Sequence, residues 1–220
     1  MRLMPFNLAL FTVIPLVLGA CSSSPKTAYY NLNSPPIAAT LPMSNVMRVM
    51  VGPVSLPATI DQPQLVVQSG SNRVQIFELH RWGGSLKNDV GRVIAANLAR
   101  ELNTSNVWNF SQSTQTQFDY QVLVDVQSVD SRLDEEVVLD VLWTIKSNTT
   151  NTKSLASVKL ADKSTNTAPS LSADVSRAVQ VKAGRSLVRE SVSGPGLDAI
   201  VAAQSRAFAK VGDDIARAMR

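Results

Sequence analysis

Two long alternations constrain the fold most. In Phe118-Asp119-Tyr120-Gln121-Val122-Leu123-Val124-Asp125-Val126 the even positions are apolar, and across residues 137–145 the odd positions Val137, Leu139, Val141, Trp143 and Ile145 are. Successive side chains of a strand point to opposite faces, so alternation of this length specifies two strands with one face buried. The connection between them, residues 128–136, is short and charged, which predicts an antiparallel pair. A sheet with one apolar face needs a second layer to cover it.

The sequence offers that layer twice. Leu86, Val90, Val93, Ile94, Leu98 and Leu102 recur at steps of three and four, the spacing of one helical face. Gly83 and Gly84 precede this run, and Ser85 is placed to cap it. A second such face, Leu197, Ile200, Val201, Phe208, Val211, Ile215 and Met219, follows Gly194-Pro195-Gly196, with Pro195 suited to a first turn.

Shorter strands complete the pattern. Val46-Met47-Arg48-Val49-Met50-Val51, bounded by Gly52-Pro53, reads as a strand buried on both faces. Gln64-Leu65-Val66-Val67 and Arg73-Val74-Gln75-Ile76-Phe77 read as a hairpin around Ser69-Gly70-Ser71-Asn72, and residues 185–192 as a further strand. The expected architecture is α/β, bordering on α+β: a single domain with a mixed, largely antiparallel β-sheet flanked by two amphipathic helices. Residues 148–174 form a polar excursion rich in Ser, Thr, Asn and Lys around one weak strand candidate at 155–160, expected as an extended hairpin or a mobile loop.

The first twenty residues do not belong to that domain. One basic residue, Arg2, precedes the apolar run Leu8-Ala9-Leu10-Phe11-Thr12-Val13-Ile14-Pro15-Leu16-Val17-Leu18, roughly the length of a signal-peptide core and too short to span a bilayer. Leu18-Gly19-Ala20-Cys21 has the form of a bacterial lipobox, small residues before a cysteine whose thiol takes the diacylglycerol. Cys21 is the only cysteine of the 220 residues, so no internal disulfide is possible and acylation accounts for the odd thiol. Stable anchoring takes two acyl signals, which the usual chains of a bacterial lipoprotein supply. Ser22, rather than the aspartate that commonly retains lipoproteins in the inner membrane, favours an outer-membrane anchor facing the periplasm. Residues 1–20 are thus expected to be a signal peptide, 21–45 an acylated N-terminus with a Pro- and Ser-rich tether, and 46–220 the folded domain. Within the tether, Tyr29-Tyr30-Asn31-Leu32 is apolar enough to dock as an edge strand.

Charge and motifs narrow the function. The formal net charge is +4, reduced by one when Arg2 leaves with the leader, and the basic residues are scattered singly. That distribution argues against nucleic acid. His80 is the only histidine, and neither a nucleophile elbow nor a phosphate-cradling loop is present. No metal site or cofactor is expected. Gly194-Pro195-Gly196-Leu197-Asp198-Ala199 matches a dinucleotide fingerprint, but the strand and acidic residue that such a site needs downstream are lacking, so it reads as helix-start punctuation.

What stays unabsorbed is Leu56-Pro57-Ala58-Thr59-Ile60-Asp61-Gln62-Pro63-Gln64-Leu65-Val66 with Leu79-His80-Arg81-Trp82-Gly83. Trp and Arg are the residues most enriched in interface hot spots. Either this is a contact surface, or Trp82 plugs the core and Arg81 pairs with Asp61.

The lipobox, Tyr29-Tyr30-x-Leu32, Leu56-Pro57, Asp61-Gln62-Pro63-Gln64-Leu65-Val66, Arg81-Trp82, Trp143 and Ala202-Ala203-Gln204-Ser205-Arg206 together resemble the ABC-type transport auxiliary lipoprotein family, which includes the paraquat-inducible protein C lipoproteins. The resemblance implies an α/β fold with a mixed sheet and a non-enzymatic outer-membrane component of a system that moves lipids or hydrophobic compounds between membranes. It implies as partners a mammalian-cell-entry-domain protein of the inner membrane and, in many such systems, an ABC permease and ATPase. A homo-oligomer is also open. Tyr29, Tyr30, Asp61, Gln62, Pro63, Gln64, Leu65, Arg81 and Trp82 would then be contact residues, and Cys21 the anchor. A structural envelope lipoprotein without transport, or a small hydrolase using His80, are the alternatives.

Overall fold

The computed structural model describes residues 25–34, 47–112, 114, 117–148 and 181–220. The leader, Cys21, most of the proline-rich tether and nearly all of the polar excursion with its strand candidate at 155–160 lie outside the described residues. The elements run β1 (Ala28–Tyr30), β2 (Val49–Ser55), β3 (Gln64–Gly70), β4 (Arg73–Trp82), α1 (Leu86–Glu101), β5 (Val107–Asn109), a 3₁₀ turn, β6 (Tyr120–Ser131), β7 (Glu136–Ser147), β8 (Val181–Ser191) and α2 (Gly196–Met219).

The strands form a five-stranded sheet, β5-β2-β6-β7-β8, and a three-stranded sheet, β1-β4-β3. The fold is therefore mixed, with two helices, as the periodicities indicate, although the strands divide between two sheets. β6 and β7 pair antiparallel from Tyr120 opposite Ser147 to Ser131 opposite Val137. Their alternation sends Val122, Val124 and Val126, and Val137, Leu139, Val141, Trp143 and Ile145, into the core. β2 lies between β5 and β6, parallel to both. Parallel strands are covered on both faces, and residues 49–52 are all buried.

Three local expectations change. β2 does not stop at Gly52 but runs on to Ser55, through a cis Gly52-Pro53 peptide and a register shift against β6; a bulge is one of the few places where a sheet accepts proline. Ser85 occupies the N-cap of α1, yet its side chain makes no capping hydrogen bond. Pro195 sits one residue ahead of the first turn of α2, at its N-cap.

Both helices cover one face of the larger sheet, α1 over β2 and β5 and α2 over β7 and β8, and they also pack on each other. Phe208, Ile94, Leu98, Ile200 and Ile215 fill the layer between. Asn97 bridges the helices by donating to the Ala209 carbonyl and to Asp213 Oδ1, both at 2.6 Å. Among the described residues no helix is long and apolar enough to cross a membrane, which says nothing of strands.

Candidate functional site

The unabsorbed segment folds into one corner of the molecule. The Pro57 carbonyl accepts hydrogen bonds from the amides of Ile60 and Asp61, both at 3.0 Å, and the Gln62 side chain closes the turn by donating to the Thr59 carbonyl at 2.7 Å. The Trp82 amide then donates to the Pro63 carbonyl, and the Gly83 amide to the Tyr30 carbonyl, each at 2.8 Å. Turn, β4 and β1 are thereby linked through their backbones. Gly83 packs closely on the Asn31 side chain here: a Cβ would stand 2.7 Å from Asn31 Oδ1, so the exposed amide would have to shift.

Strand geometry sorts the side chains. Neighbours on a strand face opposite ways, so Trp82 turns inward at 7% exposure while Arg81 turns outward. Leu65 and Ile60 join Trp82 in burial. Arg81 does not pair with Asp61: its Nε donates to the Glu78 carbonyl at 3.1 Å, and Asp61 instead meets Lys87 Nζ at 2.6 Å, because the first turn of α1 carries Lys87 against the loop. Gln64 lies opposite Arg81 and donates to Glu78 Oε2 at 3.0 Å. Tyr29 lies beside Arg81 on the other side and is 68% exposed.

The structure thus brings the nine expected contact residues together but gives them two roles. Tyr29, Asp61, Gln62, Pro63, Gln64 and Arg81 form an outward rim of mixed charge, while Trp82, Leu65 and the partly buried Tyr30 hold it from beneath. The side chain of Trp82 belongs to the core, and any contact made here is made by its neighbours. Cys21 lies outside the described residues. Below the rim, Ile60, Trp82, Leu86 and Phe208 close a small apolar crevice, lined also by the buried Gln204. Gln204 donates to Ser131 Oγ at 2.8 Å.

His80 serves β1. Its Nδ1 lies 2.8 Å from the Tyr30 hydroxyl, and the Phe77 ring meets the imidazole edge-on with centroids 5.8 Å apart. Burial, and secondarily the negative charge of Asp198, raise the Tyr30 phenol above its ordinary value. This is a packing arrangement, with a phenol and a phenyl ring as the imidazole's neighbours. Among the described residues no group of three or more His, Cys, Asp or Glu is placed to hold a metal ion.

The sequence reading missed how the N-terminal segment is fastened. The Leu32 amide donates to Asp89 Oδ2 at 3.2 Å, the Asn33 amide to Ser205 Oγ at 3.0 Å, and Arg92 to both the Leu32 carbonyl and the Ser34 hydroxyl. Asp89 and Arg92 are themselves joined at 2.9 Å. An acid and a base three apart near a helix start are ordinary in a sequence; what makes these two a clamp is a strand end more than fifty residues away.

A family model described as ABC-type transport auxiliary lipoprotein component matches residues 30–216. No curated protein matches the chain. Among solved structures, one titled as an uncharacterized protein aligns with a TM-score of 0.61 at 18% identity, covering 89% of this chain and 100% of the other. Protein XCC0632 from Xanthomonas campestris, of the DUF330 family, aligns with a TM-score of 0.51 at 13% identity, covering 87% of this chain and 93% of the other. At these identities the two structures show a shared fold.

Proposed function

The chain belongs to the family of ABC-type transport auxiliary lipoprotein components, and from that premise we propose that it is the outer-membrane docking member of an intermembrane transport system for lipids or other hydrophobic compounds. Acylated Cys21 fixes it to the periplasmic leaflet. The rim of Tyr29, Asp61, Gln62, Pro63, Gln64 and Arg81 receives the periplasmic end of an inner-membrane mammalian-cell-entry-domain protein. Energy for transport comes from an ABC ATPase elsewhere in the system, and the work of this chain is positional.

The observation that carries the reading is the clamp on Leu32, Asn33 and Ser34. A flexible leash would let the domain wander, whereas Asp89, Arg92 and Ser205 bind the chain to both helices soon after the anchoring cysteine. A rim held on a rigid body near a fixed anchor is suited to docking, since little conformational freedom is left to lose on association.

Fractionation and capture test this together. Radiolabelled palmitate should enter the wild type and not Cys21→Ser, and the labelled protein should sediment with the outer membrane. Photo-crosslinkers at Asp61 and Arg81 should capture an inner-membrane partner in intact cells. Sedimentation with the inner membrane, or full capture by an Asp61→Ala, Arg81→Ala double variant probed from Gln62, would overturn the corresponding half.

A further inference from the structure

We propose that the β3–β4 hairpin is a membrane-contacting element whose apolar outer half rests in the headgroup region of the bilayer that holds the acyl chains. The inference rests on the acylation of Cys21 proposed above. Its geometry comes from three features of the fold.

The first is direction. β1 runs parallel to β4, with Ala28 beside His80 and Tyr30 beside Trp82. Followed backwards from Ala28, the chain therefore heads towards the start of β4, which is the hairpin tip. Residues 25–27 have already left the sheet and are exposed.

The second is length. Seven residue steps lead from Cys21 to Ala28, a reach of at most about 25 Å. Seven steps also lead from His80 back to Arg73 at the tip, about 23 Å along a strand. The longest course of the tether is thus about equal to the overhang of the hairpin. A fully extended tether brings the anchor level with the tip, and any shorter course along that line presses the tip into the surface in which the anchor sits.

The third is chemistry. β4 is exposed on both faces over residues 73–76, and Val74 and Ile76, which share a face, are each 45% exposed. Residues 62–77 contain no acid, and their one charge is Arg73; Lys26 supplies a second positive charge on the departing tether. Apolar side chains flanked by cations suit a bilayer surface with anionic lipid. The turn is also self-satisfied: Gln68 donates to the carbonyls of Gly70 at 2.7 Å and Ser71 at 3.3 Å, and Ser69 to that of Arg73 at 3.2 Å. Fewer backbone groups then lose water on entering the interface. The Asp61 to Gln64 rim lies at the base of the same hairpin, so this orientation turns it towards the periplasm.

Depth-dependent quenching tests the proposal on the full acylated protein in phosphatidylethanolamine–phosphatidylglycerol vesicles. Acylation consumes the only native thiol, so Ile76→Cys or Val74→Cys gives a unique site for an environment-sensitive fluorophore, with Leu187→Cys, 67% exposed on β8, as control. Probes at Val74 and Ile76 should shift to the blue and be quenched by lipids carrying doxyl high on the acyl chain, several-fold more than the probe at Leu187. Protein that floats with the vesicles while its Ile76 probe stays aqueous overturns the hairpin contact and leaves the anchor standing. Shielding that appears only on adding the inner-membrane partner, or only at high protein density without doxyl quenching, overturns it in favour of a protein interface. Failure to float removes the anchor, and the proposal falls with it.

Discussion

Arg92 on α1 donates a hydrogen bond to the carbonyl of Leu32, a residue with no exposed surface. Hydrogen bonds from charged donors contribute about 1.5–3 kcal/mol, and a buried acceptor left alone costs its desolvation in full. Arg92→Ala should therefore lower stability by about 1–3 kcal/mol, whereas Arg100→Ala, whose partners Glu101 and Asp213 are half-exposed, should cost well under 1 kcal/mol. Amide exchange at Leu32 and Asn33 should accelerate in the Arg92 variant and not in the other. Unchanged protection at Leu32 would show that the clamp does not depend on the guanidinium.

Trp82 and Arg81 separate core from surface within two residues. Trp82→Ala opens a cavity beside Ile60, Leu86 and Phe208 and should cost about 3–5 kcal/mol. Arg81→Ala, outside such a site, should stay within about 0.5 kcal/mol. Denaturant midpoints of both variants decide this, and equal losses would place Arg81 in the structural set.

Trp143 lies over Gly184 in the β7–β8 pair, so close that a Cβ at Gly184 would stand 2.2 Å from the indole ring. The indole nitrogen is held by Ser186 Oγ at 3.1 Å, which in turn donates to Asp214 of α2 at 2.6 Å. The ring cannot easily move aside. Gly184→Ala should destabilise by about 1–3 kcal/mol, and less in a Trp143→Leu background, where the ring is gone. A double-mutant cycle with no coupling between the two positions contradicts the steric account.

Glu190 on β8 is nearly buried and receives both Lys210 and Arg206 of α2. Burial is the largest single influence and pushes its carboxyl up, but hydrogen bonds from Lys210 and Arg206, together with their charges, outweigh it and bring the group below its ordinary 4.5. A carboxylate whose folded value is depressed stabilises fully above its unfolded value and loses that contribution as pH falls through the folded one. Thermal midpoints should hold above about pH 4.5 and fall below it, and Glu190→Gln should flatten part of that fall. An acid limb identical in both proteins would assign the dependence to other carboxylates, such as Asp119, lowered by hydrogen bonding to Arg48.

Local periodicity carried most of the elements. The alternations of β6 and β7 and the helical faces of α1 and α2 are properties of neighbouring residues, and each reports which side of an element is apolar. The lipobox-like form of Leu18-Gly19-Ala20-Cys21 is likewise a matter of four adjacent residues. Where pairing with distant strands extends an element or a cap goes unused, as when β2 runs past Gly52-Pro53 with a register shift against β6 or Ser85 leaves its side-chain cap unmade, the pattern misleads by a few residues.

An apolar face is indifferent to which apolar face covers it, and that indifference marks the limit of the sequence. It determined that Cys21 is the one thiol, that two amphipathic helices cover strands of alternating pattern, and that Trp82 and Arg81 stand side by side. Only the tertiary structure decided that β2 is flanked by β5 and β6, that Trp82 faces inward, that Asp61 meets Lys87 rather than Arg81, and that β1 joins β4 in parallel. Such choices are made between residues far apart in the chain, where packing and charge pairing are settled by the whole fold at once.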